Sequence, residues 1–340
     1  AEDFIRRALS LCPNVVMLLK QTYWNVGGRS QGLWLDHMPD LELKLTWRLA
    51  FLKERGNIKT DTSGGYEIAI PLSHSENSTY QRYSGYDTLN VQASNVLTAA
   101  KYDWVSAAVH VTASGDELRK NAGKEQLISL MKSRVKNAMR TAANNMSIDL
   151  FSSGALTNQL GGLAAIITSD GTGTVGGINS ATYTFWANQF REMTGTNAWT
   201  KSTIKGDMNA MWLSCVRGTD KPNLIISTND FYAAYWESLQ DLSRYNDGAT
   251  KSTAQAGFPA LKYVDADMVF DSNSNFTATG EKMYFLNLDY LELCVMRSAN
   301  WEQQEQKTPT NQDAVLIPII FQGQLCCSNR ARQGLLLDAS

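Results

Sequence analysis

Apolar and polar residues alternate with a period of two at two places early in the chain: Tyr66, Ile68, Ile70 and Leu72, then Val105, Ala107, Val109 and Val111. Successive side chains of a strand point to opposite faces, so each run predicts a strand with one apolar face. Between them lie about thirty residues, SHSENSTYQRYSGYDTLNVQASNVLTAAKYD, rich in Ser, Asn, Thr and Tyr and short of core-forming side chains. A two-stranded ribbon alone in water is marginal, so the excursion reads as a protruding hairpin covered by a neighbouring molecule. A disordered surface loop is the alternative.

The pattern then changes period. After the punctuation Ser114–Gly115–Asp116, Leu127, Met131, Val135 and Met139 recur every four residues, and Ala142, Met146 and Leu150 continue the stripe after a one-residue slip. That slip is what 3.6 residues per turn demands, and it predicts a helix over Lys124 to Phe151, about 40 Å long, a length suited to a spine. Lys132, Lys136 and Arg140 form a second stripe beside it, a solvated face or a contact for nucleic acid. Upstream, Leu41 to Arg55 also has helical spacing, while the first forty residues read as an arm.

From Gly161 onward strand-like and helical runs alternate. Leu163 to Thr168, Asn223 to Ser227, Met268 to Phe270, Lys282 to Leu286, Leu291 to Arg297 and Ala314 to Leu325 are expected as strands, with helices at Thr200 to Cys215 and Asp230 to Asp241. The fold class is therefore α+β, a mixed α/β architecture.

Composition narrows the function. With 340 residues, 43% hydrophobic, the chain can fill a real core; a formal net charge of −2 lacks the basic face of a dedicated nucleic-acid binder. The five scattered cysteines read as buried or free thiols made in a reducing compartment. Arg6 and Arg7 precede an apolar stretch that mimics a secretory leader, but Pro13 and Asn14 break it and Glu2 and Asp3 sit in the would-be basic region. No run of about twenty apolar residues suggests a membrane span.

Chemistry-bearing motifs are sparse. His37, His74 and His110 have no partner at metal-ligand spacing, Cys326 and Cys327 point to opposite faces of a strand, and no Gly-x-Ser-x-Gly elbow exists. The run GTGTVG from Gly171 to Gly176 fits a dinucleotide fingerprint, but GINSATYTF follows where a helix would have to begin, so it reads as a flexible loop. No cofactor or metal is expected, and no catalytic residues stand out.

With these elements in order, the sequence resembles the major capsid proteins of tailed bacteriophages, whose fold is named after phage Hong Kong 97. The resemblance spans roughly Leu49 to Leu337. It is carried by ENSTYQRYSGYDTL from Glu76, SGDELRKNAGKEQLISLM from Ser114, GGINSATYTFWANQ from Gly176, MYFLNLDYLEL from Met283 and NQDAVLIPIIFQGQLCCSNRARQG from Asn311. It implies an N-terminal arm (1–60), an extended loop (61–113), a peripheral domain with the spine helix (114–157) and C-terminal strands (290–340), and an axial domain (158–289).

Functionally it implies a non-enzymatic coat protein that assembles through pentamers and hexamers into an icosahedral shell around double-stranded DNA, in a virion built in the host cytoplasm. The expected partners are identical subunits, portal, scaffold and cement proteins, and packaged DNA held non-specifically, with no membrane. Glu76, Tyr80, Arg82, Tyr83, Tyr86 and Asp87 are the expected inter-subunit residues, and Lys132, Lys136 and Arg140 the expected interior, DNA-facing ones. The loop from Ser73 to Ala100 lacks lysine, so the lysine–asparagine cross-linking of some members is not expected. An encapsulin-type nanocompartment shell is the alternative, and an α/β hydrolase or nucleotide-binding enzyme a more distant one.

Overall fold

A computed structural model describes residues 58–62, 64–92, 94–120, 126–193, 200, 203–243, 261–271, 276 and 280–338. In chain order the strands and helices are β1 (Ile58–Thr62), β2 (Glu67–Ser73), β3 (Leu97–Asp103), β4 (Val105–Ser114), α1 (Gly115–Lys120), α2 (Gln126–Leu150), α3 (Leu163–Ile166), β5 (Thr174–Val175) and β6 (Ile178–Asn179). There follow β7 (Gln189–Glu192), α4 (Ile204–Cys215), β8 (Leu224–Ser227), α5 (Asn229–Ser243), β9 (Leu261–Tyr263), β10 (Ala266–Phe270), β11 (Glu281–Leu286), β12 (Leu291–Gln303), β13 (Ala314–Cys327) and β14 (Gly334–Asp338). The chain divides into two units, one holding described residues 107–120, 126–147 and 301–321 and the other 58–106, 148–300 and 322–338.

The first unit is built on α2. Val111, Ala138, Ile317 and Ile319 form its buried centre, with Val109, Val135, Met139, Trp301 and Val315 packed around them, so β4 and β13 lie under the apolar stripe of the helix. Trp301 stacks on Phe321 with ring centroids 5.0 Å apart. The start of α1 is a reciprocal cap: the Glu117 amide donates to Ser114 Oγ at 3.1 Å, and the Ser114 amide donates to the Glu117 carboxylate at 3.2 Å. That pairing satisfies two otherwise orphaned donors. Arg134 on α2 then clasps Glu117 through two bonds of 2.8 and 2.9 Å and donates a third, 2.7 Å long, to the Thr112 carbonyl.

The second unit centres on a six-stranded mixed sheet in the order β7-β14-β11-β8-β10-β9. β14, GLLLD, is buried at every position because it runs between β7 and β11. Against this sheet α4 packs Ile204, Met208, Met211, Trp212 and Cys215, and α5 packs Phe231 and Tyr235, onto Ile225, Met268, Phe285 and Leu336. β1 pairs in parallel with β12.

Several expectations need correction. Leu163 to Thr168 is not a strand: Leu163–Ile166 forms one helical turn whose Ala165 and Ile166 amides donate to the Gly162 carbonyl, burying Leu163 and Ile166 on one side. A short apolar run serves a helical turn as well as a strand. Arg330, fully buried, fastens this turn by donating to the Ile166 carbonyl at 2.6 Å and to Asn188 Oδ1 at 2.9 Å. The glycine run is a hairpin, β5–β6, rather than a flexible loop. Finally, β2 pairs with β3, inside the polar excursion, while β4 belongs to the sheet β1-β12-β13-β4. The helix expected over Leu41 to Arg55 and most of the arm lie outside the described residues. Among the described residues no helix is long and apolar enough to cross a membrane.

Candidate functional site: the extended loop

The loop is rooted in the antiparallel ribbon β2–β3, whose seven residue pairs run from Glu67 opposite Asp103 to Ser73 opposite Leu97. One ribbon face is covered: Ile68, Leu72, Ala100 and Tyr102 are buried against Ile178, Trp186, Cys294 and Cys326. The other face is open and carries the Lys101–Glu67 ion pair, 2.6 Å long. At the root, the buried Tyr102 hydroxyl donates to the Cys327 carbonyl at 2.9 Å and accepts from the Cys327 amide at 3.2 Å. Burial, with the Cys327 thiol as second cause, pushes this hydroxyl's pKa well above its ordinary value, so it stays protonated and can do both.

Beyond the ribbon the described residues form no helix or strand, and short polar side chains take the place of a ladder. Asn77 Oδ1 accepts from the Thr79 amide at 3.0 Å and its hydroxyl at 2.8 Å. Gln81 bridges the two arms: its amide donates to the Thr88 carbonyl at 3.0 Å and accepts from the Asn90 amide at 3.3 Å. Asp87 closes a turn by accepting from the Ser84 amide at 2.8 Å. These are the local side-chain to backbone bonds that Asn, Asp and Gln make where regular pairing ends.

The inner bonding leaves the large side chains outside. Tyr80, Tyr83 and Tyr86 are 82%, 66% and 106% exposed, and Glu76 and Arg82 are exposed with them. Asp87 is exposed too, although its carboxylate serves the Ser84 turn. Tyr66, expected on the apolar face of the first strand, instead lies just before β2 and is 98% exposed. Sequence reasoning also missed Leu89, Val91 and Leu97, which are at least half exposed on the same hairpin. Their signal was available, as apolar residues in a tract with no core to enter. The bridging role of Gln81 had no sequence signal.

A second predicted group lies on α2. Lys136 and Arg140 are exposed and one turn apart, whereas the Lys132 side chain lies outside the described residues. Arg134 on the same helix is committed to Glu117 and Thr112. Beside it runs a groove of about 1060 Å³ lined by β4 and by Ser133 to Thr141. Its Arg134 and Glu117 are spent on each other; the guanidinium bonds, and next the Ser114 amide, hold the Glu117 carboxyl down at about 2. Among the described residues no group of His, Cys, Asp or Glu could hold a metal ion.

No protein-family model matches the chain, and no curated protein matches it in sequence. Solved structures do. The chain is similar to the cyanophage A-1(L) capsid asymmetric unit, with a TM-score of 0.55 and 13% identity over 83% of this chain and 90% of that one. It is similar to the SrpI encapsulin of Synechococcus elongatus PCC 7942, with a TM-score of 0.56 and 10% identity over 98% and 94%. A chain from Mycobacterium phage Bobi superposes with a TM-score of 0.53 and 9% identity over 84% and 90%. The fold is thus the mixed α+β fold of Hong Kong 97-like phage capsid proteins and encapsulins.

Proposed function

We propose that this chain is a major capsid protein: a shell subunit that self-assembles through pentamers and hexamers into an icosahedral particle enclosing phage double-stranded DNA. The observation that carries the reading is the exposed aromatic hairpin. A ribbon that buries one face at its root and then presents Tyr80, Tyr83 and Tyr86 to solvent has built contact area that its own chain does not use. Tyrosine and arginine supply area and hydrogen bonds together, which suits them to anchor an interface. In this reading Tyr80, Arg82, Tyr83 and Tyr86, with Glu76 and Asp87 at the rim, lie across an adjacent copy, and each subunit buries several thousand Å², beyond the roughly 1,600 Å² of a standard pair.

The remaining assignments follow from the same reading. Residues 1–60 serve as the arm, 61–113 as the extended loop, 114–157 and 290–340 as the peripheral domain, and 158–289 as the axial domain. Lys132, Lys136 and Arg140 face the packaged DNA, a contact by charge alone. Portal, scaffold and cement proteins complete the particle, which is the chain's place in the virion, and the chain performs no catalysis. Negative-stain microscopy of the expressed full chain tests the proposal: closed polyhedra support it, and material that stays monomeric at high concentration refutes it. Because the similarity to the SrpI encapsulin spans 98% of the chain, a nanocompartment shell is the second reading. Particles purified from the native source distinguish the two, holding nuclease-sensitive DNA after disruption in the first case and a protein cargo in the second.

A further inference from the structure

The glycine run that fails as a nucleotide-binding motif has a defined place in the fold. Gly176 and Gly177 occupy the two-residue turn of the β5–β6 hairpin with φ of +59° and +75°, the left-handed pair that a tight hairpin turn needs. The turn sits against the root of the extended loop. Gly176 accepts a hydrogen bond from the Lys101 amide of β3 at 2.9 Å, and a Cβ on Gly176 would lie 2.9 Å from Ala100 Cβ and 3.2 Å from Tyr102 Cζ. Gly177, one residue on, has open space around its missing side chain. The hairpin is itself fixed: the Trp186 indole donates to the Val175 carbonyl at 2.9 Å, and the Ser180 hydroxyl reaches the Gly171 and Gly173 carbonyls at 3.1 Å.

We propose that the β5–β6 hairpin is the mount that sets the direction of the extended loop, and that Gly176 is the positioning residue on which the mount depends. From Lys101, where the turn bonds, to Leu97 the ribbon runs about 13 Å, so a tilt of about 10° at the mount displaces its far end by about 2 Å. Interface contacts tolerate about 0.5 Å of misplacement, so the tip tyrosines reach their partner only if the root is held. That consequence for assembly rests on the shell reading; the mount itself does not.

The test compares Gly176→Asn with Gly177→Asn in the full chain. Asparagine is among the L-residues that best tolerate positive φ, so both variants carry a similar backbone cost and only the first drives an atom into β3. Amide hydrogen exchange and particle yield are read together. In Gly176→Asn, exchange at Lys101 and along β2–β3 accelerates by about tenfold or more, as an overpacked contact demands, while β8, β11 and β14 keep their protection and particles are lost. Gly177→Asn matches wild type in both readouts. If Gly176→Asn does not fold, adding Ala100→Gly, which removes the atom at 2.9 Å, restores folding and Lys101 protection. Unchanged exchange at Lys101 in Gly176→Asn, equal damage from Gly177→Asn, normal particles despite a loosened ribbon, or no rescue by Ala100→Gly overturns the proposal. Should the wild-type chain form no particles at all, the exchange result still decides the mount while the shell reading falls separately.

Discussion

Replacing Tyr102 with phenylalanine removes one oxygen from the root of the loop and leaves the ring. The hydroxyl is the partner of both the amide and the carbonyl of Cys327, and Tyr102 is only 6% exposed, so water has little access to replace it. Each buried main-chain group left without a partner costs about 1–3 kcal/mol, and the phenylalanine no longer has to desolvate a hydroxyl, which offsets part of the sum. The expected net loss is about 2–3 kcal/mol, or about 30- to 150-fold in the opening equilibrium. Urea unfolding with amide exchange on β3 measures it, with Tyr66→Phe as control; Tyr66 is 98% exposed, so its hydroxyl should matter by less than about 0.5 kcal/mol. The pH dependence has a definite sign. The folded hydroxyl's pKa is raised above the unfolded value near 10, so the pin's contribution is whole below about pH 10 and declines only above it. The difference between the variants is therefore flat from about pH 6 to 9. A Tyr102→Phe chain as stable as wild type would refute the reasoning that this hydroxyl holds the ribbon to β13.

Three further outcomes are expected. Changing Tyr80, Tyr83 and Tyr86 together to serine leaves the subunit's unfolding free energy in urea within about 0.5 kcal/mol of wild type, because none is buried, but abolishes particles; normal particles by microscopy would remove these residues from the interface. Glu117, held down at about 2 chiefly by its bonds from Arg134, contributes stability that is present above the ordinary glutamate range and lost as the pH falls through about 2. A carboxyl titration by NMR checks this, and Glu117→Gln should remove that acid-dependent component. Burial pushes the Cys215 and Cys327 thiols up to about 12, so iodoacetamide at neutral pH should spare both in the folded chain and modify both in denaturant, read by peptide mass spectrometry. Labelling of either under native conditions would contradict their placement in the core.

The long helix α2, the first strand of the ribbon and the strands β8, β10, β11, β12 and β13 were legible because each carries its signal locally. The stripe through Val135, Met139, Ala142 and Met146 needs only the helical period, and Ile68 and Leu72 need only the strand period to be assigned to one buried face. The exposed tyrosines were legible for a related reason, since aromatic residues in a tract of Ser, Asn and Thr have no local core to join.

What the sequence left open was which elements meet. Ala99-Ala100-Lys101-Tyr102 has too little apolar contrast to announce a strand, and it is one because β2 supplies its hydrogen bonds and the Gly176 turn covers Ala100. Leu163 to Thr168 took a helical turn because Gly162 and the buried Arg330 guanidinium hold it there. The Tyr102–Cys327 pin joins residues 225 positions apart, and the parallel pairing of β1 with β12 joins Lys59 to Cys294. Periodicity fixes which face of an element is apolar, but the choice of partner is a competition among many apolar faces. It is decided by shape, by the close approach that one glycine permits, and by buried polar groups that must each find a match.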